Sequence, residues 1–309
     1  MKKIFTLVAA ALTAASFSAN AETLVSDNFE YPVGNLLNAE LTNGNWMHYN
    51  TQTCGLIQVV NSPLTKAGYQ NTAVGGAVKL AAVANGQDAM VNMADNSIVA
   101  ETGKTLYAAF LMNVENMTTA STFSFSFLAP GTTSYTKFVD GGTPSEIGRM
   151  SILAGTSEET FVVGVSRNSN MSIAKAAQEL NFGETYLVVL SYEWVEGTKN
   201  DAVKVFINPT PNTDLSAPFV KANDTGADAS QIQAFEFRQP AANASGPNLL
   251  VDALRITDSW DDIFPQEPIT GVNDLNVEKT NSVCKYIENG QVVIEKNGVK
   301  YNIAGQAIK

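Results

Sequence analysis

The sequence predicts an all-β protein in which two antiparallel sheets pack face to face. Short apolar runs recur between residues 23 and 265, clusters of Gly, Pro, Asn or Asp bound each run, and little of this stretch has the periodicity of a helix. The even spacing of the runs favours two packed antiparallel sheets. The runs include residues 57–60, 78–83, 106–114, 150–154, 161–166, 203–208 and 232–238.

The clearest strand pattern lies in residues 122–127, where three Phe alternate with Thr and Ser. Successive strand side chains point to opposite faces, so this pattern predicts a half-buried strand with rings on one face and hydroxyls on the other. Residues 186–194 are longer and carry apolar side chains on both faces, which predicts a central strand. Trp194 ends that run, and we expect both Trp194 and Trp260 to lie in the core.

The sequence also predicts two short helical segments. Asp258 stands at a plausible cap position, and Trp260, Ile263 and Phe264 follow it at helical spacing. We expect one turn of helix there, closing one end of the sandwich. Residues 174–180 are the second candidate for a short helix.

A carboxylate interrupts the last apolar run of the body. Residues 249–256 are apolar almost throughout and predict a strand that is buried on both faces, with Asp252 in its middle. Burying a charge costs free energy unless the charge is compensated. The carboxylate of Asp252 must therefore be satisfied by an ion pair, by hydrogen bonds or by a metal ion.

The first 21 residues predict a secretory signal. Two lysines precede an apolar stretch at residues 4–17, and residues 19–21 form a small-x-small cleavage site. We expect the mature chain to begin at Glu22 and to be exported to the periplasm, the cell surface or the extracellular space. No later segment has the roughly 18 uninterrupted apolar residues of a spanning helix, which argues against insertion into a membrane.

Charge and histidine content argue against several functions. The formal net charge of the 309 residues is −11, and it becomes about −13 without the two lysines of the signal. Nucleic acids and anionic lipids require basic patches, so they are poor partners for this chain. His48 is the only histidine, which excludes a zinc site built from several histidines, and no Gly-x-Ser-x-Gly motif indicates a serine hydrolase.

The chain predicts a body and a smaller C-terminal unit. Residues 22–265 form the body, residues 266–272 have the composition of a linker, and residues 273–309 form a short β tail. Asn-Gly pairs at residues 289–290 and 297–298 separate the apolar runs of the tail. Asn-Gly between such runs is the strongest short signal for a β-hairpin.

The two cysteines leave two alternatives open. Cys54 lies in the body and Cys284 in the tail of a chain that we expect in an oxidising compartment. They form either a disulfide between the two units or two separate thiols. A bridge between positions so far apart would stabilise the folded chain by roughly 5 kcal/mol through restriction of the unfolded state.

Two segments carry a resemblance to a known fold family. They are residues 26–35, SDNFEYPVGN, and residues 249–260, LLVDALRITDSW. Both resemble the corresponding segments of concanavalin A-like, or laminin-G-like, jelly rolls of secreted bacterial surface proteins, and the resemblance covers residues 23–265. It implies a jelly-roll sandwich, a fold that serves lectins, glycan-binding modules, glycosidases and inert spacers alike.

The tail carries a second resemblance. Residues 271–275, GVNDL, and residues 301–306, YNIAGQ, flank the two Asn-Gly pairs. This arrangement resembles the start of the C-terminal sorting domains that serve type IX secretion in Bacteroidetes. The family's domain continues with several further strands, so the tail is a shortened version. The resemblance implies an exported protein of Bacteroidetes.

The sequence shows no carboxylate pair suited to glycoside hydrolysis. Hydrolysis with retention needs two carboxylates about 5 Å apart, and laminarinase-like enzymes that share this sandwich supply them from one Glu-x-Asp-x-x-Glu strand. Here Asp252 stands alone on its run, and Glu146 has no second acid in phase. This pattern favours a protein without catalytic activity.

Calcium is the one cofactor that the sequence favours. Calcium takes six to eight oxygen ligands. In calcium-bearing jelly-roll modules, acids near the first strand meet an Asp on the last strand, and this resemblance implies Asp27, Glu30 and Asp252 as ligands. The alternative is that Asp27 caps a turn and that Asp252 accepts backbone N–H groups at a bulge.

Several aromatic residues are candidates for binding sugars. Exposed rings can stack on the apolar faces of pyranoses, beside amides and carboxylates that bind the hydroxyls. Trp46, His48 and Tyr49 lie in one Asn-rich stretch, and Tyr69 and Tyr135 lie among loop residues. The alternative for each of them is packing at the edge of the core.

The expected function is that of an exported, monomeric, non-catalytic module that binds extracellular or cell-surface glycans. This expectation rests on the fold resemblance and on the missing carboxylate pair. Two alternatives stay open. One is a divergent glycoside hydrolase, which would need a cleft with paired acids. The other is a structural or adhesive surface protein that binds another protein.

Overall fold

A computed structural model describes most of the chain. The described residues are 23–49, 52, 54–69, 73–93, 98–117, 123–129, 145–168, 172–239, 246–264, 283–288, 291–296, 299–302 and 306–308. The chain divides into two compact units, Met1–Pro265 and Gln266–Lys309. Among the described residues, no helix has the length and apolar character needed to cross a membrane.

The described strands are numbered in chain order. The first twelve are β1 (Thr23–Asp27), β2 (Gly34–Asn35), β3 (Trp46–His48), β4 (Gln58–Val60), β5 (Ala77–Leu80), β6 (Ala89–Asn92), β7 (Ile98–Val99), β8 (Thr105–Met117), β9 (Phe123–Ala129), β10 (Ser145–Ala154), β11 (Thr160–Asn168) and β12 (Ala174–Lys175). The others are β13 (Leu180–Asn181), β14 (Thr185–Glu193), β15 (Ala202–Ile207), β16 (Val220–Lys221), β17 (Gln231–Ile232), β18 (Ala234–Phe237), β19 (Pro247–Thr257), β20 (Val283–Glu288), β21 (Gln291–Lys296), β22 (Val299–Tyr301) and β23 (Ala307–Ile308).

The first unit is a sandwich of two antiparallel sheets, as predicted. The nine-stranded sheet has the order β16-β15-β14-β8-β19-β5-β4-β2, and β1 pairs with the C-terminal half of β19. The eight-stranded sheet has the order β12-β11-β10-β9-β18-β6-β3, and β13 pairs with β11. Strands β7 and β17 form a separate pair. The all-β fold is confirmed.

The main core lies between the two sheets and is rich in phenylalanine. Phe110 of β8 and Phe125 of β9 have ring centroids 4.6 Å apart, so the core joins strands of both sheets. Strand β14 contributes Val188 and Leu190 to this core, while Leu187 belongs to a second apolar cluster on the outer face of the nine-stranded sheet. Because β14 lies between β15 and β8 and is covered on both faces, it is a central strand, as predicted.

Strand β9 corrects the prediction of a half-buried strand. Phe125 and Phe127 point into the main core, as the alternation predicts. Ser124 and Ser126 on the other face are also buried. The reason is that the Ser126 hydroxyl donates to a buried carboxylate, that of Glu236, instead of to water. Polar residues on one face of a strand therefore do not mark that face as exposed.

The helical predictions are half right. A single 3-10 turn forms at Asp261–Ile263, but Ile263 and Phe264 pack on the outer face of the nine-stranded sheet instead of closing an end of the sandwich. Residues 174–180 are not helical, because β12 and β13 pair with β11 there. A short helix that the sequence did not indicate, α1 (Ala39–Thr42), begins after Asn38, whose side chain accepts from the backbone N–H of Glu40.

The tryptophans and Cys54 lie as follows. Trp194 is buried in the main core and donates its indole N–H to the carbonyl of Ala229. Trp260 is partly exposed and packs edge-on against Tyr107. Cys54 is an exposed, free thiol, and the side chain of Cys284 lies outside the described residues.

The described residues of the second unit form a sheet of four strands in the order β20-β21-β22-β23. Glu288 pairs with Gln291, and Lys296 pairs with Val299, so each of the first two connections has two residues. These pairings confirm the two predicted hairpins. After β22, the backbone N–H of Gln306 donates to the side chain of Asn302 and closes the last turn.

The main core predicts the cost of removing one ring. Phe125 is fully buried and contacts Phe110 and Phe237. We expect Phe125→Ala to lower the free energy of unfolding by about 3–5 kcal/mol, because the substitution leaves a cavity between the sheets. Urea denaturation measures this loss. The control is Val99→Ala, since Val99 is 65% exposed and its truncation should change stability by less than about 0.5 kcal/mol. Equal effects of the two substitutions would contradict the described core.

Candidate functional site

A cavity of about 410 Å³, here called the edge pocket, lies where β1 of one sheet approaches β3 and β6 of the other. Its volume falls within the range of small-molecule sites, roughly 300–1,000 Å³. The residues that line it are Leu24, Val25, Ser26, Asp27, Tyr31, Gly44, Asn45, Met47, Val91 and Asn92.

Asp27 organises one wall of the edge pocket. Its Oδ1 accepts the backbone N–H of Phe29 at 2.7 Å, and its Oδ2 accepts Tyr31 Oη–H at 2.7 Å and Trp46 Nε1–H at 2.8 Å. Burial raises the pKa of Asp27, and the hydrogen bonds from Trp46, Tyr31 and Phe29 oppose that rise. Asp27 thus caps a turn in which Phe29 has a left-handed conformation, with φ of 52°.

Tyr31 presents a ring whose orientation is held at its hydroxyl. The hydroxyl donates to Asp27 and accepts from Asn45 Nδ2 at 3.3 Å, and the ring is only partly buried. Burial raises the pKa of Tyr31 to about 12, so the hydroxyl is neutral at physiological pH. The pocket therefore contains a fixed aromatic surface beside an amide and a carboxylate.

Asn92 at the end of β6 supplies a second amide. The residue lines the edge pocket, and its Oδ1 is buried without a hydrogen-bond partner in the structure. Buried polar atoms are nearly always hydrogen-bonded, and leaving one unsatisfied costs about 1–3 kcal/mol. This oxygen has no exposed surface, so a ligand in the pocket would reach it only if the Asn92 amide rotated.

A second polar group, here called the acid cluster, lies on the outer face of the eight-stranded sheet and consists of Tyr49, Asp88, Glu146, Glu236 and Arg238. Glu236 is 0% exposed; its Oε2 accepts from Ser126 Oγ at 2.8 Å, and its Oε1 has no hydrogen-bond partner. Burial, assisted by the negative charge of Asp88, raises the pKa of Glu236 to about 8. Glu236 is therefore largely protonated at pH 7.

The remaining acids of the cluster are ionically paired. Arg238 Nη1 donates to Glu146 Oε1, and Arg238 Nε lies 3.8 Å from Asp88 Oδ2. Tyr49 also donates to Glu146, at 3.1 Å. Glu146 is close enough to Glu236 for its charge to raise the pKa of Glu236 further, although the two come from β10 and β18, with β9 between them.

The sequence does not predict that Glu146 and Glu236 lie on one face, because the two acids belong to different strands. Glu146 was recognised as an acid without a partner in phase, whereas its neighbour comes from another strand. The available signal was the Phe235-Glu236-Phe237 alternation, which directs Glu236 away from the core that takes both rings. The sequence does not indicate which strands become neighbours, so the signal could not be used.

The aromatic residues predicted to be exposed are mostly buried. Trp46 is 2% exposed and stacks on Phe237 with ring centroids 4.7 Å apart. Tyr69 is 5% exposed and donates its hydroxyl to the carbonyl of Ala253, and Tyr49 is 8% exposed. The burial of these three residues matches the alternative, packing at the edge of the core, and their polar atoms have partners inside the protein.

The two other predicted binding residues lie elsewhere. His48 is half-buried on β3, opposite Ala89 of β6, and burial lowers its pKa. Tyr135 lies outside the described residues. The structure thus brings Trp46 to the edge pocket through its hydrogen bond to Asp27, and it brings Tyr49 to the acid cluster.

The three predicted calcium ligands have other partners. Asp252 Oδ2 accepts the backbone N–H of Leu64 at 2.7 Å, and its Oδ1 accepts its neighbour's N–H, that of Ala253, at 2.6 Å. A bulge follows at this point of β19, and burial raises the pKa of Asp252 to about 7. Glu30 Oε1 lies 3.5 Å from Asn28 Nδ2.

These contacts match the alternative in which Asp27 caps a turn and Asp252 accepts backbone N–H groups at a bulge. Asp27 accepts hydrogen bonds from Phe29, Tyr31 and Trp46, and Asp252 accepts hydrogen bonds from Leu64 and Ala253. Within the described part of the chain, no group of three His, Cys, Asp or Glu residues is arranged to hold a metal ion. The residues present do not fit calcium in this arrangement.

Comparison with known proteins gives only distant likenesses. No family model and no curated protein matches the chain. A carbohydrate esterase of the Shiga toxin-encoding bacteriophage phi24B is 13% identical, with a TM-score of 0.43 over 77% of this chain and 99% of that chain. Domain 4 of the arabinanase AbnA from Geobacillus stearothermophilus, solved with arabinotriose, is 14% identical, with a TM-score of 0.40 over 77% and 93%. Peanut lectin is 15% identical, with a TM-score of 0.39 over 77% and 98%.

These likenesses are to proteins that bind or process carbohydrates, according to their names. Each TM-score is below 0.5 and each identity is below 25%. The likenesses therefore carry no argument about the function of this chain.

The buried acid predicts a pH-dependent stability. The pKa of Glu236 is about 8 when folded, above its usual 4.5, so its proton stabilises the fold fully below pH 4.5, and this contribution is lost as the pH rises through 8. We expect Glu236→Gln, which cannot ionise, to remove on the order of 3 kcal/mol from the fall in stability between pH 5 and pH 9. Urea denaturation of both proteins across this pH range measures the fall in the free energy of unfolding.

The control for this substitution is Glu115→Gln. Glu115 pairs with Lys79 at the surface, with side-chain exposures of 35% and 41%. Its replacement should preserve the pH dependence of the wild type. If Glu236→Gln and the wild type show the same pH dependence, Glu236 is not held protonated by the fold.

The occupied carboxylates predict how the protein responds to calcium. We expect the melting temperature to be the same in millimolar calcium and in a chelator, because an ion stabilises only a fold that binds it. Differential scanning calorimetry measures the difference. A rise of several degrees with calcium that Asp252→Asn removes, while Asp214→Asn does not, would establish the predicted calcium site; the Asp214 side chain caps a surface turn at Ser216.

Proposed function

We propose that this chain is an exported, non-catalytic domain that binds extracellular or cell-surface glycans in the edge pocket. The observation that carries the proposal is the partly exposed Tyr31 ring, whose hydroxyl Asp27 and Asn45 hold in a pocket that Asn92 also lines. Export rests on the signal predicted at residues 1–21.

The chemistry of the pocket suits a sugar ring. A pyranose has an apolar face of C–H groups and a rim of hydroxyls that both donate and accept hydrogen bonds. The Tyr31 ring and the side chains of Leu24 and Met47 provide apolar surface, while Asn45 and Asn92 provide amides. Because the Tyr31 hydroxyl is already held, little conformational entropy is lost when a ligand packs on the ring.

The acid cluster favours the glycosidase alternative in one respect, since it brings Glu146 and Glu236 to the same face of a sheet. Two carboxyl groups in separate roles are the usual requirement for glycoside hydrolysis. Glu236, however, is fully buried and bonded to Ser126, so a substrate could not reach its carboxyl group in this arrangement. Binding is therefore the function that the geometry supports best.

The test combines a glycan array with an assay for released reducing sugar, both on residues 22–309. We expect binding without release. Tyr31→Ala should weaken the binding of any glycan found by roughly tenfold or more, since stacking and shape are lost, and Tyr31→Phe should weaken it less. Isothermal titration calorimetry gives the affinities.

The matched control is Tyr186→Phe, which also removes a hydroxyl that donates to a carboxylate, that of Glu184, but lies outside the edge pocket. It should leave the affinity unchanged. Release of oligosaccharides that Glu146→Gln abolishes would replace the binding function with the enzymatic alternative. A glycan affinity insensitive to Tyr31→Ala would move the site elsewhere.

A further inference from the structure

We infer that the edge pocket selects neutral saccharides and rejects anionic ones such as uronates. This inference rests on the proposed function and adds the ligand's charge to it. The pocket is lined by one carboxylate, Asp27, and by no Lys, Arg or His among its lining residues.

The carboxylate of Asp27 at the pocket wall is ionised and accepts hydrogen bonds at both oxygens. Two N–H groups and one O–H group point at its oxygens from Phe29, Trp46 and Tyr31. An ionised carboxylate accepts at both oxygens, which is the arrangement observed. A second negative charge entering the pocket would therefore face an ionised group at short range, in a partly buried setting where screening by salt is weak.

No basic side chain compensates this charge inside the pocket. Arg255 pairs across the sheet with Ser26, which lines the pocket, but its Nη2 donates to Thr23 Oγ1 at 2.8 Å, and Arg255 is not among the lining residues. Glu30 adds a further negative charge close enough to raise the pKa of Asp27. The net charge of the chain, −11, acts in the same direction over longer distances.

The amides explain why a neutral sugar is still bound. Asn45 is exposed and uses its Nδ2 on Tyr31, and Asn92 also lines the pocket. Amide oxygens accept from hydroxyls, which every neutral sugar supplies. A uronate and its methyl ester carry the same donating hydroxyls, so the charge of Asp27, and not hydrogen bonding to the amides, is what separates them.

The experiment compares an anionic ligand with neutral counterparts. Oligogalacturonate, its methyl ester and the corresponding neutral galactan oligomer are titrated calorimetrically into residues 22–309 at low and high salt. We expect the galactan oligomer and the methyl ester to bind and the free acid to bind at least about tenfold more weakly. The discrimination should shrink as salt is raised, because salt screens the repulsion.

A substitution tests whether the charge of the pocket is the cause. Ser26→Lys places a cation in the pocket and should narrow the difference in affinity between the methyl ester and the free acid. The matched control is Ser172→Lys, which adds the same charge at an exposed position beside β12, the opposite edge of the eight-stranded sheet from β3. It should leave the discrimination unchanged.

The outcomes separate this inference from the proposal on which it rests. If the free acid binds as tightly as the ester, and Tyr31→Ala abolishes both, the charge selectivity is wrong and glycan binding at the edge pocket stands. If Ser172→Lys narrows the difference as much as Ser26→Lys, the selectivity belongs to the whole chain and the pocket does not cause it. If neither the three ligands nor any neutral glycan of the array binds, the proposed function fails and the inference fails with it.

Discussion

The carboxylate of Asp27 is the interaction on which the edge of the sandwich depends. It lies at the end of β1 in the nine-stranded sheet and accepts the indole N–H of Trp46 from β3 in the eight-stranded sheet. It also closes the turn that carries Phe29, whose ring lies 5.8 Å from that of Trp46 inside the core. One side chain therefore links the two sheets, sets a left-handed backbone position and orients Tyr31. The pocket and the core share this anchor, so a pocket ligand would meet a wall that is already rigid.

Three acids of the sandwich have raised pKa values, and each is accommodated in a way that depends on its place in its strand. Asp252 sits at a bulge and accepts two backbone N–H groups, that of Ala253 in the bulge and that of Leu64 from another segment. Asp27 sits at a strand end and collects donors from the turn that follows and, through Trp46, from the neighbouring sheet. Glu236 sits in mid-strand between two core Phe residues, where no backbone donor is free. Protonation and one hydroxyl, that of Ser126, are what remain available to it.

Much of the fold was predictable because periodicity within one strand is a local property. The alternation in residues 186–194 identified a central strand, and the Asn-Gly pairs identified both hairpins of the second unit. The prediction of a helix at residues 174–180 was wrong because short apolar segments fit a helix and a strand equally. Pairing of these residues with β11 makes them strands. The prediction that the face with Ser124 and Ser126 is exposed was wrong for a related reason. The polarity of a strand face does not reveal whether the rest of the protein covers that face.

The site was less predictable than the fold, because it is made of pairings between distant strands. Asp27 was singled out from the sequence, but as a metal ligand; its partner Trp46 was singled out as a surface for sugars. In the structure, Trp46 donates a hydrogen bond to Asp27, so the ring of Trp46 is buried and the carboxylate of Asp27 is occupied. In the proposed site, Tyr31 takes the place that the sequence analysis assigned to Trp46, since its ring is partly exposed and its hydroxyl is fixed. The same carboxylate oxygen of Asp27 accepts from the buried tryptophan and from the partly exposed tyrosine, so one oxygen fixes both rings.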